Sequence, residues 1–297
     1  MTLYDTAVIG AGPAGCAAAV QCGRLGLDVV LVDTLGKAGG LIREARLIEN
    51  YPGLEKPLAG LEFAGRLVSI VSANNLKIRC FHADSIVKNG DIFEISGIGE
   101  LIRSRSVVVA VGTVPKEFSI RVNGAVTIHR SVLELKHNPS KRTVVIGGGE
   151  AALDYALSLS DSGSSVSVLV RSSRLRATGN LRKEIEERCA VKILYNTVPV
   201  SASRSDGTIH LEAESSGRKM ILKTDIVLAA VGREPRLPQI MNDFIHDRGN
   251  VRTSIPGLYI AGDASLGSLG QAAIASGQGI QAAICINELV RTGSGKT

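Results

Sequence analysis

An aspartate and an arginine stand at matching places behind two glycine-rich turns, and they carry the clearest chemistry in the chain. The first turn is Gly10-Ala-Gly12-Pro13-Ala14-Gly15, after the apolar run Thr6-Ala-Val-Ile9. The second is Gly147-Gly-Gly149-Glu150-Ala-Ala152, after Thr143-Val-Val-Ile146. Counting 23 residues from Gly10 reaches Asp33; the same count from Gly147 reaches Val170, with Arg171 next. A carboxylate at that place hydrogen-bonds a ribose 2′-OH, whereas an Arg favours a 2′-phosphate. The pair therefore predicts FAD or NAD in one half and NADPH in the other, with electrons passing between them. In such turns one glycine makes the bend, one lets backbone approach the pyrophosphate, and one packs helix on strand. The N–H groups at the helix start then face the phosphates. Each copy sits between a β-branched strand and an apolar helical stretch, the context the motif requires. The blander readings are a solvated turn residue for Asp33 and a solvated basic face for Arg171, Arg174 and Arg176.

Regular elements must hold these residues. In the first half the pattern predicts a helix from Ala14 to about Leu25, a strand from Asp28 to Asp33 and a loop from Gly36 to Gly40. Strand-like runs follow at Leu76–Arg79, Ile92–Ile95 and Ser106–Val111, the last entering Gly112. The second half repeats the plan, with a helix from Ala151 to about Ser160 and a strand over Ser165–Val170. Hairpins are expected at Asp206-Gly207 and Ser216-Gly217, and a buried strand over Asp225–Val231 enters Gly232. The tail offers Gly257–Asp263 and a helix from about Gln271 to Val290. Ala110-Val-Gly112 and Ala230-Val-Gly232 occur at matching places, which reads as an internal repeat. The expected class is α/β, with two Rossmann-like dinucleotide-binding domains. Residues 1–115 and 236–297 form a split first domain, and residues 116–235 form the inserted second.

A length of 297 residues suits about two domains. Aromatics make up only 3% and Trp is absent, so the cores must be aliphatic. Lys and Arg exceed Asp and Glu by six, and the pI is near 9.1, which favours anionic partners. The basic residues are scattered without aromatic interleaving, which argues against nucleic acid. The chain enters a strand at once, so no signal peptide fits, and no apolar run approaches the ~18 residues of a membrane span. A cytoplasmic protein is expected. Cys16, Cys22, Cys80, Cys189 and Cys285 form no CxxC pair, which reads as reduced thiols without a disulfide framework. Cys16 and Cys22 lie six apart on one expected helix and so point to different faces. The five histidines show no metal-ligand spacing, and a lone His129 is more often structural than catalytic.

Together these residues resemble the thioredoxin-reductase-like branch of the pyridine-nucleotide flavoprotein family. The marks are the two fingerprints, Gly39-Gly40, Glu49-Asn50-Tyr51-Pro52-Gly53, Ala110-x-Gly112, Arg171 to Arg176, and Gly262-Asp263 with Gln271-Ala272. The resemblance implies FAD in the split domain and NADPH in the inserted one. It places Asn50, Asp263, Gln271 and Ala272 beside the flavin and its ribityl chain, and Arg171 and Arg176 on the 2′-phosphate. Pro13, Ala14, Leu41, Ala83, Gly149 and Glu150 complete the implied cofactor-binding set. It also implies a homodimer.

Thioredoxin reductases of this branch carry a CxxC shortly before the second fingerprint. Here the stretch reads Thr127-Ile-His-Arg-Ser-Val-Leu-Glu134, without cysteine. A redox dithiol needs one thiol to attack and one to resolve. This stretch, and Gly149-Glu-Ala-Ala-Leu-Asp154-Tyr155, is similar to CxxC-free members that reduce ferredoxin. Those members usually end in an extension whose aromatic ring covers the flavin; this chain ends Arg291-Thr-Gly-Ser-Gly-Lys-Thr, without one. The implied activity passes hydride from NADPH to FAD and on to ferredoxin, flavodoxin or a small acceptor. The alternatives are direct reduction of a partner's disulfide and a low-turnover nucleotide-binding sensor. Flavin and nicotinamide carry the hydride themselves, so no catalytic side chain is assigned.

Overall fold

Val, Ile, Leu and Ala run almost unbroken through the strands that enter each glycine turn, and such runs are buried on both faces only inside a parallel sheet. The computed structural model describes residues 2–135, 141–177, 179–267 and 270–293. Residues 294–297, four of the seven in the tail without an aromatic, lie outside them. The chain divides into two units. The first holds residues up to Arg43, Leu47–Val114 and the chain from Glu234 onward; the second holds Glu44–Arg46 and Pro115–Arg233.

In chain order the strands of the first unit are β1 (Leu3–Ile9), β2 (Val29–Asp33), β3 (Ile78–Cys80), β4 (Ser85–Asn89), β5 (Ile92–Gly97), β6 (Glu100–Val109) and β7 (Thr113–Pro115). The second unit follows with β8 (Arg121–Asn123), β9 (Ile128–His129), β10 (Arg142–Ile146), β11 (Ser165–Leu169), β12 (Val191–Leu194), β13 (Thr197–Ser205), β14 (Thr208–Ser215), β15 (Arg218–Thr224) and β16 (Ile226–Ala229). The chain then returns through β17 (Arg233–Pro235), β18 (Gln239–Ile240) and β19 (Leu258–Ile260). The helices are α1 (Pro13–Arg24), α2 (Gly60–Ala73), α3 (Glu150–Asp161), α4 (Gly179–Glu187), α5 (Asp263–Leu266) and α6 (Ala272–Gly293).

The parallel core of the first unit runs β3-β2-β1-β6-β19. That of the second runs β12-β11-β10-β16-β9. The same topology thus occurs twice, and in each case the glycine turn leaves the central strand, β1 or β10. Both units add antiparallel strands at the same point of the plan, β4-β5-β6 in one and β13-β14-β15 in the other. Both expected hairpin turns form, with Asp206 (φ 51°), Gly207 (φ 76°), Ser216 (φ 50°) and Gly217 (φ 79°) in the left-handed region that such turns demand. The short strands β7 and β17 lie where the chain leaves the first unit and returns to it.

Helix α1 is covered on nearly all sides. Ala14, Cys16, Ala18, Ala19, Val20 and Cys22 are all buried, so the different faces of Cys16 and Cys22 both end in the core. Helix α6 packs so closely on α1 that a Cβ at Gly279 would overlap the Ala14 carbonyl oxygen. Small residues make this approach possible, and they place the start of α6 beside the first glycine turn.

Candidate functional site

In the first unit the two ends of the fingerprint are set by backbone contact. Gly10 (φ 100°) touches Ala110 so closely that a Cβ would overlap the Ala110 carbonyl. A Cβ at Gly15 would overlap the Gly10 carbonyl oxygen. The Ala11 N–H donates to Asp33 Oδ2 (3.1 Å), and Asp33 Oδ1 accepts from the Leu35 N–H (2.9 Å). Asp33 therefore braces the turn. The Gly39 N–H donates to the Ala11 carbonyl (2.8 Å), and Gly40 lies against Gly12. Gly10, Gly12, Gly15, Asp33, Gly39, Gly40 and Ala110 thus form one cluster. Gly12 caps α1 without a side chain and Pro13 follows it; nothing lies within 4 Å of a Cβ at Gly12. A helix start with no side-chain acceptor and free space before it fits a pyrophosphate.

A second group gathers around the start of α6. Asn50 Nδ2 donates to Gln271 Oε1 (2.8 Å). Neighbouring Tyr51 packs edge-on to Phe63 and donates to Ser276 Oγ (3.4 Å). Gly262 (φ 72°) precedes Asp263, the first residue of α5, and Ala272 opens α6. The missing Cβ of Gly270 leaves room for the Asp263 carboxylate. Leu41 is half-buried in a short turn of 3-10 helix, Gly112 (φ 67°) faces open space, and Ala83 is a core residue beside Phe81. The buried Gln278 was not singled out from the sequence. Its Oε1 accepts from the Gly262 N–H and its Nε2 donates to the Gly249 carbonyl, both at 2.8 Å. The sequence does not set it apart from Gln281 and Asn287 on the same helix.

The second unit repeats the turn. A Cβ at Gly147 (φ 146°) would overlap the Ala230 carbonyl oxygen, matching Gly10 and Ala110. Gly149 caps α3 without a side chain, Glu150 opens that helix, and Ala152 packs under Gly147. The Arg176 N–H donates to the Gly148 carbonyl (2.7 Å), and its guanidinium lies 3.7 Å from where a Gly149 Cβ would stand. Arg171 and Arg176 are exposed, and among the described residues neither guanidinium meets a carboxylate.

The same unit holds a charge network that sequence reasoning missed. The Arg46 guanidinium bridges Asp161 and Glu184, and Arg188 bridges the same two carboxylates. The Arg46 N–H donates to Asp154 Oδ2 (2.9 Å), and the Tyr155 hydroxyl donates to Glu44. Burial, then the Glu44 carboxylate, pushes the Tyr155 phenol well above its ordinary range. Arg46 and Glu44 lie over a hundred residues from their partners in the chain, so no local pattern announces those contacts.

In the stretch without cysteine, His129 Nδ1 sits 3.3 Å from Glu134 Oε2. Arg130 donates to the carbonyls of Lys116 and Phe118. All five thiols are free. Burial raises Cys16 and Cys22 to about 12, which keeps both neutral and unreactive at pH 7. Cys80 and Cys189 are exposed. Ellman's reagent is therefore expected to titrate Cys80 and Cys189 rapidly in the native protein, and the other three only after denaturation. Rapid labelling of Cys16 or Cys22 would contradict this burial. No described helix is long and apolar enough to cross a membrane, and no described group of three ligating side chains could hold a metal.

A repeated parallel α/β unit, each copy ending its central strand in a glycine turn before an uncapped helix, defines a two-nucleotide oxidoreductase. The family model described as pyridine nucleotide-disulphide oxidoreductase matches residues 4–279, and the chain belongs to that family. The chain is 25% identical to a thioredoxin reductase of Bacillus subtilis, covering 97% of this chain and 95% of that one. It is 26% identical to a ferredoxin–NADP reductase of Acidiphilium cryptum, covering 87% and 84%. Its fold matches the crystal structure of Lactococcus lactis thioredoxin reductase with a TM-score of 0.88 at 24% identity, over 97% of this chain and 99% of that one. The thioredoxin-reductase-like fold is thereby established, with its Rossmann-like FAD and NAD(P) domains. The chain is a flavin-dependent oxidoreductase, and proteins of this kind use FAD and NADPH.

Proposed function

We propose that this enzyme takes hydride from NADPH and delivers its electrons to an acceptor other than an internal dithiol: ferredoxin, flavodoxin or a small acceptor. The observation that carries this reading is the disposition of the thiols. The stretch that would hold a dithiol has His129 and Arg130, three of the five cysteines are buried, with burial raising the thiols of Cys16, Cys22 and Cys285, and the two exposed ones lie in different units. The similarity to a ferredoxin–NADP reductase supports it.

Residues 1–115 and 236–297 are assigned to FAD and residues 116–235 to NADPH. The flavin supplies the site that stores the two electrons. The Gly10–Gly15 turn and the start of α1 receive the pyrophosphate, and Asp33 receives the adenosine ribose while holding the turn in shape. Asn50 and Gln271 fix each other's amides and line the flavin side with Asp263, whose loop Gln278 holds. In the second unit Gly147 and Gly149 let backbone approach the nucleotide, and Arg171 and Arg176 take the 2′-phosphate. We place the protein in the cytoplasm as a homodimer. Ile280 and Ile284, one turn apart on α6, and Ile274 nearer its start are exposed apolar residues suited to a second copy, which sedimentation velocity tests.

A second reading, direct reduction of a partner's disulfide, is favoured by the similarity to a thioredoxin reductase. One experiment separates them. All five cysteines are replaced by Ser or Ala, FAD retention is checked, and anaerobic NADPH titration is followed by turnover with a dye. Bleaching of the flavin band and undiminished turnover are expected. Loss of turnover with FAD and fold intact would make a thiol part of the electron path. Thioredoxin reduction by the wild type would establish the second reading, and absence of steady turnover would leave a sensor.

A further inference from the structure

One flank of α2, from buried Ala64 and Val71 out to exposed Leu61 and Val68, lines a groove of about 540 Å³ together with Gly36, Lys37, Ala38, Arg43 and Leu76–Ile78. All of it belongs to the first unit. Leu61, Gly65, Val68 and Ser72 recur at helical spacing along its floor, and Leu61 and Val68 are 53% and 45% exposed. From Leu61 to Ser72 this stripe runs about 16 Å, three helical turns. Three cations stand around it: Lys37, Arg43 and Lys77. Among the described residues their side chains have no ion-pair or hydrogen-bond partner. Nearby Arg66 and Arg79, by contrast, are paired with Glu62 and Glu100.

The groove is distinct from the nucleotide turn. The Gly39 N–H donates to the Ala11 carbonyl and Gly40 lies against Gly12, while Gly36, Lys37, Ala38 and Arg43 of the same loop line the groove; Gly39 also packs on Ala64 and Arg43, so the two adjoin without sharing lining residues.

We propose that this groove docks an acidic amphipathic helix of a partner protein. Its apolar side would lie along Leu61, Gly65, Val68 and Ser72, and its flanking carboxylates would meet Lys37, Arg43 and Lys77. An apolar floor rimmed by unpaired like charges fits the helix-in-groove mode. The small, exposed Gly65 and Ser72 allow close approach of helix axes. Charge decides against a second copy: an isologous contact sets a patch against itself, and here it would face three unpaired cations with three more on a chain of net charge +6. The inference is independent of the acceptor proposed above.

The test uses the FAD-loaded protein and a fluorescein-labelled peptide of about four helical turns, with leucine on one face and glutamate on its flanks. Anisotropy should show saturable, salt-weakened binding. A counterpart with lysine in place of glutamate should not bind. Lys37→Glu with Lys77→Glu should weaken binding about tenfold or more. Val68→Asp should do the same through the floor, and Leu61→Asp provides a second floor variant; all these side chains are exposed, and bound FAD and thermal melting check the fold. Absence of saturable binding, or equal binding by the charge-reversed and floor variants, would overturn the proposal. So would a wild-type dimer that Val68→Asp converts to monomer, which would give the groove to a second copy. Co-sedimentation with phosphatidylglycerol vesicles that the same variants abolish would give it to a membrane and overturn the proposal equally.

Discussion

A Gly15→Ala protein is expected to lose its FAD. The added methyl would sit inside the van der Waals envelope of the Gly10 carbonyl, a backbone group that cannot rotate away. Accommodating it means pulling α1 off β1 or opening the turn, and overpacking of this kind costs about 1–3 kcal/mol, occasionally more. Either movement displaces the uncapped N-terminus of α1 from the pyrophosphate. FAD per chain, read from the flavin band, should fall to about a tenth or less, equivalent to about 1.4 kcal/mol or more of binding. The matching position of the second unit is already Ala152, which that turn accommodates, so the restriction is particular to the first. Gly12→Ala makes a useful contrast. Its methyl would meet no protein atom within 4 Å, so the fold should melt as wild type while FAD binding weakens. Full FAD occupancy in Gly15→Ala would remove this turn from the cofactor site.

Neutralising Arg171 and Arg176 together, as Arg171→Gln with Arg176→Gln, should reduce the preference for NADPH over NADH by one to two decades. A charge-assisted hydrogen bond contributes about 1.5–3 kcal/mol, and NADH has no 2′-phosphate to lose it. Flavin reduction by NADH should remain nearly unchanged. Both guanidiniums are exposed and without a carboxylate partner among the described residues, so their replacement should leave the fold intact. Arg176 is the better placed, because its N–H is tied to the Gly148 carbonyl and its head lies beside the turn. Measuring kcat/KM for both nucleotides in the double variant decides the matter. An unchanged ratio would show that other groups read the phosphate.

The chain's chemistry was legible where short-range necessity writes it. Gly10 and Gly147 have positive φ and backbone neighbours that exclude any Cβ, so only glycine serves there, and the strands before them must be apolar because both faces are buried. Asp206-Gly207 and Ser216-Gly217 announce their turns for the same conformational reason. The missing dithiol needed no structure to be seen, since adjacent thiols are a property of spacing. Other features depended on which distant segments meet. Helix α2 has glycines at 60 and 65 and exposed aliphatics on its outer face, which blur the period a helix is recognised by. Helix α4 buries only Ile185, so it has almost no apolar stripe to read. Arg46 reads as one more surface cation until the fold brings Asp161 and Glu184 to it from more than a hundred residues away. Gln278 becomes intelligible only beside Gly249 and Gly262. Local periodicity and turn chemistry act over a few bonds and survive in the sequence, whereas pairing of polar groups and the shape of a groove arise from chain crossings that only tertiary packing decides.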